Sequence, residues 1–130
     1  MKITHHDLVT ELNDEWWAEA GMHRFVPTSQ AYRTDQDAIE VHIADIGPVD
    51  PARRMIGIFR DNIDEGITAR YRVLRILRGF RLGEAVPPVE VAEGEVGYGH
   101  QYRLKHGTHR LYCAIAAAFT RVPTVMVERG

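Results

Sequence analysis

The chain contains 130 residues, 45% of them hydrophobic and 26% charged, with a formal net charge of −2 at pH 7. This composition is typical of a one-domain globular protein, and the small net charge excludes a surface that is basic throughout and dedicated to nucleic acid. The single cysteine excludes an intramolecular disulfide bond and a cysteine-rich zinc site. Because neither a signal-peptide pattern nor an apolar run of membrane-spanning length is found, a soluble, cytoplasmic protein is expected.

Residues 1–38 are predicted to form a helical extension that packs on the domain that follows. Leu8, Leu12 and a tryptophan four residues further on have near-helical spacing, which predicts a helix over residues 7–20. Residues 27–38 are polar and show no periodicity, so they are predicted to be a loop.

Residues 39–130 are predicted to form one compact domain of the α/β (α+β) class, with helices packed on a mixed β-sheet. Residues 68–80 have helical periodicity, with apolar side chains on one face and arginines on the opposite face. Apolar segments that alternate with polar residues or follow prolines predict the strands, which are residues 39–43, 89–91, 102–105 and 122–127.

The stretch KHGTHRLYCAIAAAF, residues 105–119, joins a predicted strand to an alanine-rich helix. Gly107 allows a sharp turn and close approach of a ligand, and Thr108 is suited to cap the helix. A helix N-terminus attracts anions; Arg110 in the first turn would complete a phosphate cradle, and His109 would add a hydrogen bond. The alternative is an ordinary strand–helix junction, with Arg110 paired to a carboxylate and the histidine satisfied inside the protein. Spacing alone leaves both interpretations open.

Several motifs, taken in order, resemble those of the ParB/sulfiredoxin-like superfamily. They are VPPVEV (86–91), YRL (102–104), GTHR (107–110) and VPTVMV (122–127), and the resemblance covers residues 39–128. It implies a small ParB/sulfiredoxin-like domain and leaves residues 1–38 unexplained.

Proteins of this superfamily hold nucleotide phosphates at a Gly-x-His-Arg or Gly-x-Arg-Arg turn: ATP in sulfiredoxins, CTP in ParB proteins and ADP in free serine kinases. The resemblance therefore implies that Gly107, Thr108, His109 and Arg110 contact phosphate. Sulfiredoxins also use polar or basic residues of the helix before the Pro-Pro strand, and Arg70 is the nearest candidate for that role.

The other arginines of this helix, Arg72, Arg75 and Arg78, would be able to take the place of that residue. The interpretation favoured for all three is nevertheless an ordinary solvated face, since a stripe of charge opposite an apolar stripe is what a surface helix shows.

Two departures from the superfamily pattern limit what the resemblance implies. Thr108 stands where sulfiredoxins have their catalytic cysteine, so repair of sulfinic acids is not expected. Cys113, five residues later, is expected to be a buried and inert thiol. Since the chain ends soon after the last predicted strand, a helix-turn-helix module like that of ParB has no place, and sequence-specific DNA binding is not expected.

An acidic stretch at residues 60–66 precedes the basic helix. Its ordinary interpretation is the capped, acidic start of that helix. The functional alternative makes Asp64 and Glu65 catalytic candidates, as a ligand of Mg²⁺ or a general base beside the phosphates. The seven histidines and the carboxylates show no familiar metal-site spacing. The sequence therefore predicts no metal site built from protein side chains alone.

The function predicted is binding of a nucleotide (ATP, ADP or CTP) with Mg²⁺, or of another phosphorylated small molecule. Phosphotransfer or nucleotide hydrolysis is the activity that such a site would support. The alternative is a non-enzymatic interaction or nucleic-acid-associated protein built on the same scaffold. The sequence does not decide between an enzyme and a binding protein, and it does not define the oligomeric state.

Overall fold

The computed structural model describes residues 1–128, except for the side chains at positions 55 and 56. Strands and helices combine in an α+β fold, which confirms the predicted class. In chain order the elements are β1 (Lys2–His5), β2 (Leu8–Glu11), α1 (Asp14–Glu19), β3 (Ile39–His42), α2 (Pro51–Ile56), α3 (Ala69–Leu82), β4 (Val89–Glu93), β5 (Tyr102–His106), α4 (Thr108–Ala116) and β6 (Arg121–Met126).

The main sheet has four strands in the order β3-β6-β4-β5, and its central pair, β4 and β6, is parallel. The outer pairs, β3 with β6 and β4 with β5, are antiparallel, so the sheet is mixed as predicted. Because β5 and α4 lie between β4 and β6 in the chain, they form the crossover that parallel neighbours require. The junction at Gly107 therefore lies inside this crossover.

The predicted helix over residues 7–20 is wrong, and the N-terminal segment is not a helical extension. β1 and β2 form an antiparallel hairpin instead, and helix α1 covers only Asp14–Glu19. The side chain of Asn13 accepts hydrogen bonds from the backbone N–H groups of Glu15 and Trp16, so it starts the helix late. Buried residues alternate along β1, where Ile3 and the residue two positions later face inward, as a strand requires.

One hydrophobic core extends across the chain, and the N-terminal segment contributes to it. Ile3 and Leu12 of this segment belong to the same buried cluster as residues of α3, α4 and the main sheet. Complete burial of one such side chain stabilises the fold by about 1.5–3 kcal/mol. The N-terminal segment is therefore held by apolar packing.

Helix α3 forms where it was predicted, with Thr68 as its cap. The hydroxyl of Thr68 accepts a hydrogen bond from the backbone N–H of Tyr71, and the helix ends at Gly83, whose φ is 69°. Val73, Leu74, Leu77 and Phe80 are buried on one face, which leaves the arginines on the other. No helix of residues 1–128 is both long and apolar enough to cross a membrane.

Gly107 fixes the start of α4 against the sheet. Its φ is 101°, and a Cβ at this position would lie 3.0 Å from Cγ1 and 3.2 Å from Cα of Val89. Glycine is favoured on both counts, because side chains disfavour this backbone conformation and a Cβ here would crowd Val89 of β4. The body of α4 is buried around Leu111, Cys113 and Ala114, so the helix is scaffold and only its first turn reaches a cavity.

Candidate functional site

A cavity of about 680 Å³ opens at the first turn of α4. Residues 106–110 form one wall, and α3 forms another with Tyr71, Arg72 and Arg75; Arg53 of α2 also lines the cavity. We call it the basic cavity. All four residues of the predicted Gly107–Arg110 phosphate turn line it together.

The first turn of α4 has no side-chain cap. Gly107 is the N-cap residue and Thr108 is the first helical residue, so the prediction that Thr108 caps the helix is wrong. The left-handed conformation of Gly107 turns the chain one residue earlier than expected. The first backbone N–H with a partner inside the helix is that of Leu111, which donates to the carbonyl of Gly107 at 2.9 Å. The N–H groups before it are left to other acceptors, as at any helix N-terminus.

His109 is 8% exposed, yet its Nε2 atom has no hydrogen-bond partner among the described residues. Its ring lies edge-on to Phe59, with ring centroids 5.6 Å apart. Burial first, and then the positive charges of Arg72, Arg53, Arg110 and Arg60, together lower the pKa of His109 to about 4. The imidazole is therefore neutral at pH 7 and offers one donor or one acceptor to a ligand. Most buried polar atoms have a hydrogen-bond partner, and because His109 lines the basic cavity, a ligand there could supply the missing partner of its ring.

The arginines of the basic cavity are only partly neutralised. Arg72 lies 3.5 Å from a carboxylate oxygen of Glu65, and Arg110 donates to the carbonyl of Pro88 at 2.6 Å. The side chains of Arg53 and Arg75 make no hydrogen bond or ion pair with the described residues, whereas that of Arg72 faces Glu65. The cavity thus carries positive charge that a bound anion would neutralise.

The interpretation of Arg72, Arg75 and Arg78 as a solvated face holds only in part. Arg72 and Arg75 line the basic cavity, whereas Arg78, on the same helix, does not. Arg110 was expected to pair with a carboxylate if the junction were ordinary, and its partner is instead a backbone carbonyl.

Arg70 is not brought to the basic cavity. It forms an ion pair with Glu19 of α1 and does not line the cavity. Residues two positions apart on an α-helix are separated by roughly 200° around its axis, so Arg70 and Arg72 point to nearly opposite sides. The structure offers Arg72 and Arg75 where the resemblance suggested Arg70.

The acidic stretch splits between two places. Glu65 lines the basic cavity, and Asp64, its neighbour in the chain, does not. The stretch is not the acidic start of α3, since that helix begins later and has no acidic residue in its first turn. A carboxylate oxygen of Asp61 accepts a hydrogen bond from the backbone N–H of Ala69 at 2.7 Å. This bond holds the stretch against the N-terminus of α3.

Within the described residues, no group of three or more histidine, cysteine or acidic side chains is placed to hold a metal ion. Two glutamates, Glu65 and Glu84, line the basic cavity, and the first of them already faces Arg72. These two carboxylates are the protein oxygens that could contact a Mg²⁺ ion in the cavity, and they are too few to hold one without further ligands.

Sequence reasoning missed Arg53 and Phe59. Arg53 lies on α2, where the carboxylate of Asp50 accepts the N–H of Ala52 and Pro51 takes the first helical position. Asp-Pro is a recognisable helix start, so this signal was available in the sequence. Phe59 lies in the connection from α2 to α3, where no periodicity marks it.

Comparison with protein-family models, with curated proteins and with solved structures found no match for this chain.

Proposed function

We propose that the basic cavity binds the phosphate groups of a nucleotide or of another phosphorylated small molecule. One observation carries the proposal: a buried histidine with a partnerless Nε2 lies at an uncapped helix N-terminus among unpaired arginines. Backbone N–H groups, neutral imidazole and guanidinium groups are all donors, and phosphate oxygens are acceptors only.

The same arrangement supports the proposal that the chain is a ParB/sulfiredoxin-like domain. ATP, ADP or CTP with Mg²⁺ would then be the ligand, with its phosphates against residues 107–110 and the metal held chiefly by the phosphates. Arg53 and Arg75 would supply the positive charge that the resemblance implies for Arg70.

A phosphotransferase or nucleotide hydrolase is the enzyme that this cavity would support. The arginines and N–H groups would stabilise charge on the transferring phosphoryl group. Of the two catalytic candidates only Glu65 lines the cavity, and it would act as a general base after leaving Arg72.

The experiment is a thermal-shift screen with ATP, ADP, CTP, GTP and inorganic phosphate, each with and without Mg²⁺. We expect a ligand at ~100 times its dissociation constant to stabilise the wild type by about 2.7 kcal/mol. Arg53→Ala and Arg75→Ala should lose that shift, because both side chains line the cavity without a protein partner. Arg78→Ala, on the same helix and outside the cavity, is the matched control and should keep it.

Failure of every ligand to shift the folded wild type would contradict the proposal. Salt-dependent binding of DNA in the absence of nucleotide would favour the alternative, a non-enzymatic interaction or nucleic-acid-associated protein.

A further inference from the structure

A second cavity, also of about 680 Å³, lies beside the basic cavity. Aromatic side chains line it: Tyr32, Phe80 and Phe119 contact one another, and Phe25 adds a fourth ring. The ring centroids of Tyr32 and Phe80 are 5.0 Å apart, and those of Phe80 and Phe119 are 5.1 Å apart. We call it the aromatic cavity.

The two cavities are neighbours, because Gly79 and Glu84 line both. A Cβ on Gly79 would lie 2.8 Å from Cγ2 of Val86, so no side chain separates α3 from the segment that leads into β4. The hydroxyl of Tyr32, in the aromatic cavity, donates at 2.7 Å to the carbonyl of Pro87, which lines the basic cavity.

Arg110 approaches the same dividing wall from the other side. Its guanidinium donates to the carbonyl of Pro88, the residue after the one that Tyr32 bonds. Burial raises the pKa of the Tyr32 hydroxyl, and the positive charge of Arg110 acts against that rise. The two cavities are thus divided by a short piece of chain whose carbonyls are bonded from both sides.

The rings of Tyr32, Phe80 and Phe119 are only 4%, 6% and 8% exposed, so they form the floor of the aromatic cavity, and a flat ring would lie against its open rim. Val26 and Leu82, which line it, are 74% and 55% exposed, although both are large and apolar. Arg24 lines it without a hydrogen bond or ion pair to any of residues 1–128, so its guanidinium is available to stack on a ring. Thr28 also lines the cavity, and its hydroxyl would offer a polar contact to the edge of a ring.

We propose that the two cavities are compartments of one nucleotide site, with the phosphates in the basic cavity and the base in the aromatic cavity. Glu84, shared by both, lies where the sugar would connect them; its carboxylate has no partner among the described residues and would accept from ribose hydroxyls. This inference rests on the proposed function and adds to it where the base binds.

The test compares the dissociation constants of ATP and inorganic tripolyphosphate, measured by calorimetry, for the wild type and for Thr28→Trp. The indole would occupy the aromatic cavity from its exposed rim, at a side chain that makes no hydrogen bond. We expect ATP to bind about tenfold more weakly to Thr28→Trp, since the indole takes the space of the base and its contact with Arg24, while tripolyphosphate binds as before. Gln36→Trp, exposed and outside both cavities, is the control and should change neither constant.

The failures of the two proposals are distinguishable. If the wild type binds neither compound, the phosphate site itself is absent and both proposals fall. If it binds tripolyphosphate as tightly as ATP, or if Thr28→Trp weakens neither ligand, the phosphate site stands and the base compartment is refuted.

Photolabelling with 8-azido-ATP gives an independent result. Label on peptides that contain residues 24–33 or 79–84 supports the base compartment. Label confined to the peptide that contains Tyr71 would place the base inside the basic cavity, where that ring is 55% exposed, and would overturn the proposal.

Discussion

Two buried histidines lie in contrasting regions of this molecule. His5, in the N-terminal hairpin, is 4% exposed and contacts the rings of Tyr112 and His6. His109, at the start of α4, is 8% exposed and surrounded by arginines. Burial lowers the pKa of each to about 4, and the Nε2 atom of each lacks a hydrogen-bond partner.

The difference lies in what surrounds the ring. His5 lines none of the cavities described above, whereas His109 lines one together with unpaired arginines and an uncapped helix end. A lowered pKa and a buried ring therefore do not by themselves identify a binding site. The positive charge around His109 is what distinguishes it, and experiments on the two histidines can test that distinction.

The largest effect, a loss of stability, is expected from Gly107→Ala, because Gly107 is the N-cap residue of the helix that carries His109. A left-handed backbone costs an ordinary residue roughly 1–2 kcal/mol, and contact of the new Cβ with Val89 would add to this, so we expect a loss of about 3 kcal/mol. Urea unfolding measures it. Gly66→Ala is the matched control: Gly66 also has a positive φ, 67°, but open space around it, and should lose only about 1 kcal/mol.

The next largest effect is the pH dependence of stability, to which both histidines should contribute equally. Both have pKa values lowered from 6.5 to about 4 in the folded protein. The contribution of the two neutral imidazoles to the free energy of unfolding is fully present above pH 6.5. It falls as the pH drops toward 4, because the unfolded chain takes up protons that the folded protein excludes. The slope is at most about 1.4 kcal/mol per pH unit for each histidine.

Urea unfolding at pH 7, 6 and 5 checks this slope. His5→Gln and His109→Gln should each reduce it by a similar amount, whatever they do to stability at pH 7. An unchanged slope in either variant would show that the corresponding ring does not exclude the proton.

A third effect should separate the two rings. Bound tripolyphosphate would neutralise the arginines around His109, so we expect its pKa to rise by about one unit while that of His5 stays constant. Proton NMR titration of the imidazole signals, with and without tripolyphosphate, measures both at once. Equal movement of both values, or of neither, would remove the reason for treating the two regions differently.

The smallest effect concerns the ion pair that competes for Arg72. Glu65→Gln removes a carboxylate that faces this arginine, and Glu65 is largely exposed. We expect stability to change by less than about 0.5 kcal/mol and affinity for tripolyphosphate to rise about two- to fivefold. Asp64→Asn, one residue away and outside the basic cavity, should leave the affinity unchanged. Weaker binding by Glu65→Gln would instead indicate that Glu65 contacts the ligand or its metal directly.

The sequence predicted the main sheet and α3 well, because their signals are local. Alternation and prolines mark the strands directly, and helical periodicity marks α3, which the structure places at Ala69–Leu82. The hairpin was not predicted because its turn has no glycine, the usual sequence signal. The positive φ of the turn, 54°, is adopted by His6 instead. Leu8 and Leu12 matched helical spacing by chance, while Asn13 set the real start of α1.

For the candidate site, the Gly107–Arg110 turn selected from the sequence lines the basic cavity, but the sequence does not show which side chains face that turn. A helical wheel shows which arginines point away from the core, but it does not show whether solvent or a cavity lies there. The wheel therefore favours solvent for Arg75, which lines the cavity. The resemblance points to Arg70, which does not line it, and Arg53, on another helix, is missed. Such neighbours come from tertiary packing, which spacing along one segment does not encode.

The parallel pairing of β4 with β6 also ties the cavity to the folding of the whole chain. Since β5 and α4 are the connection between these two central strands, the first turn of α4 cannot come loose without releasing the middle of the sheet. Amide hydrogen exchange in the hydrogen-bonded part of α4, from Leu111 onward, should therefore occur at the rate of global opening, while residues 57–67 exchange through local fluctuations. A ligand at Gly107 would act on the slowest-opening part of the protein and slow its complete unfolding.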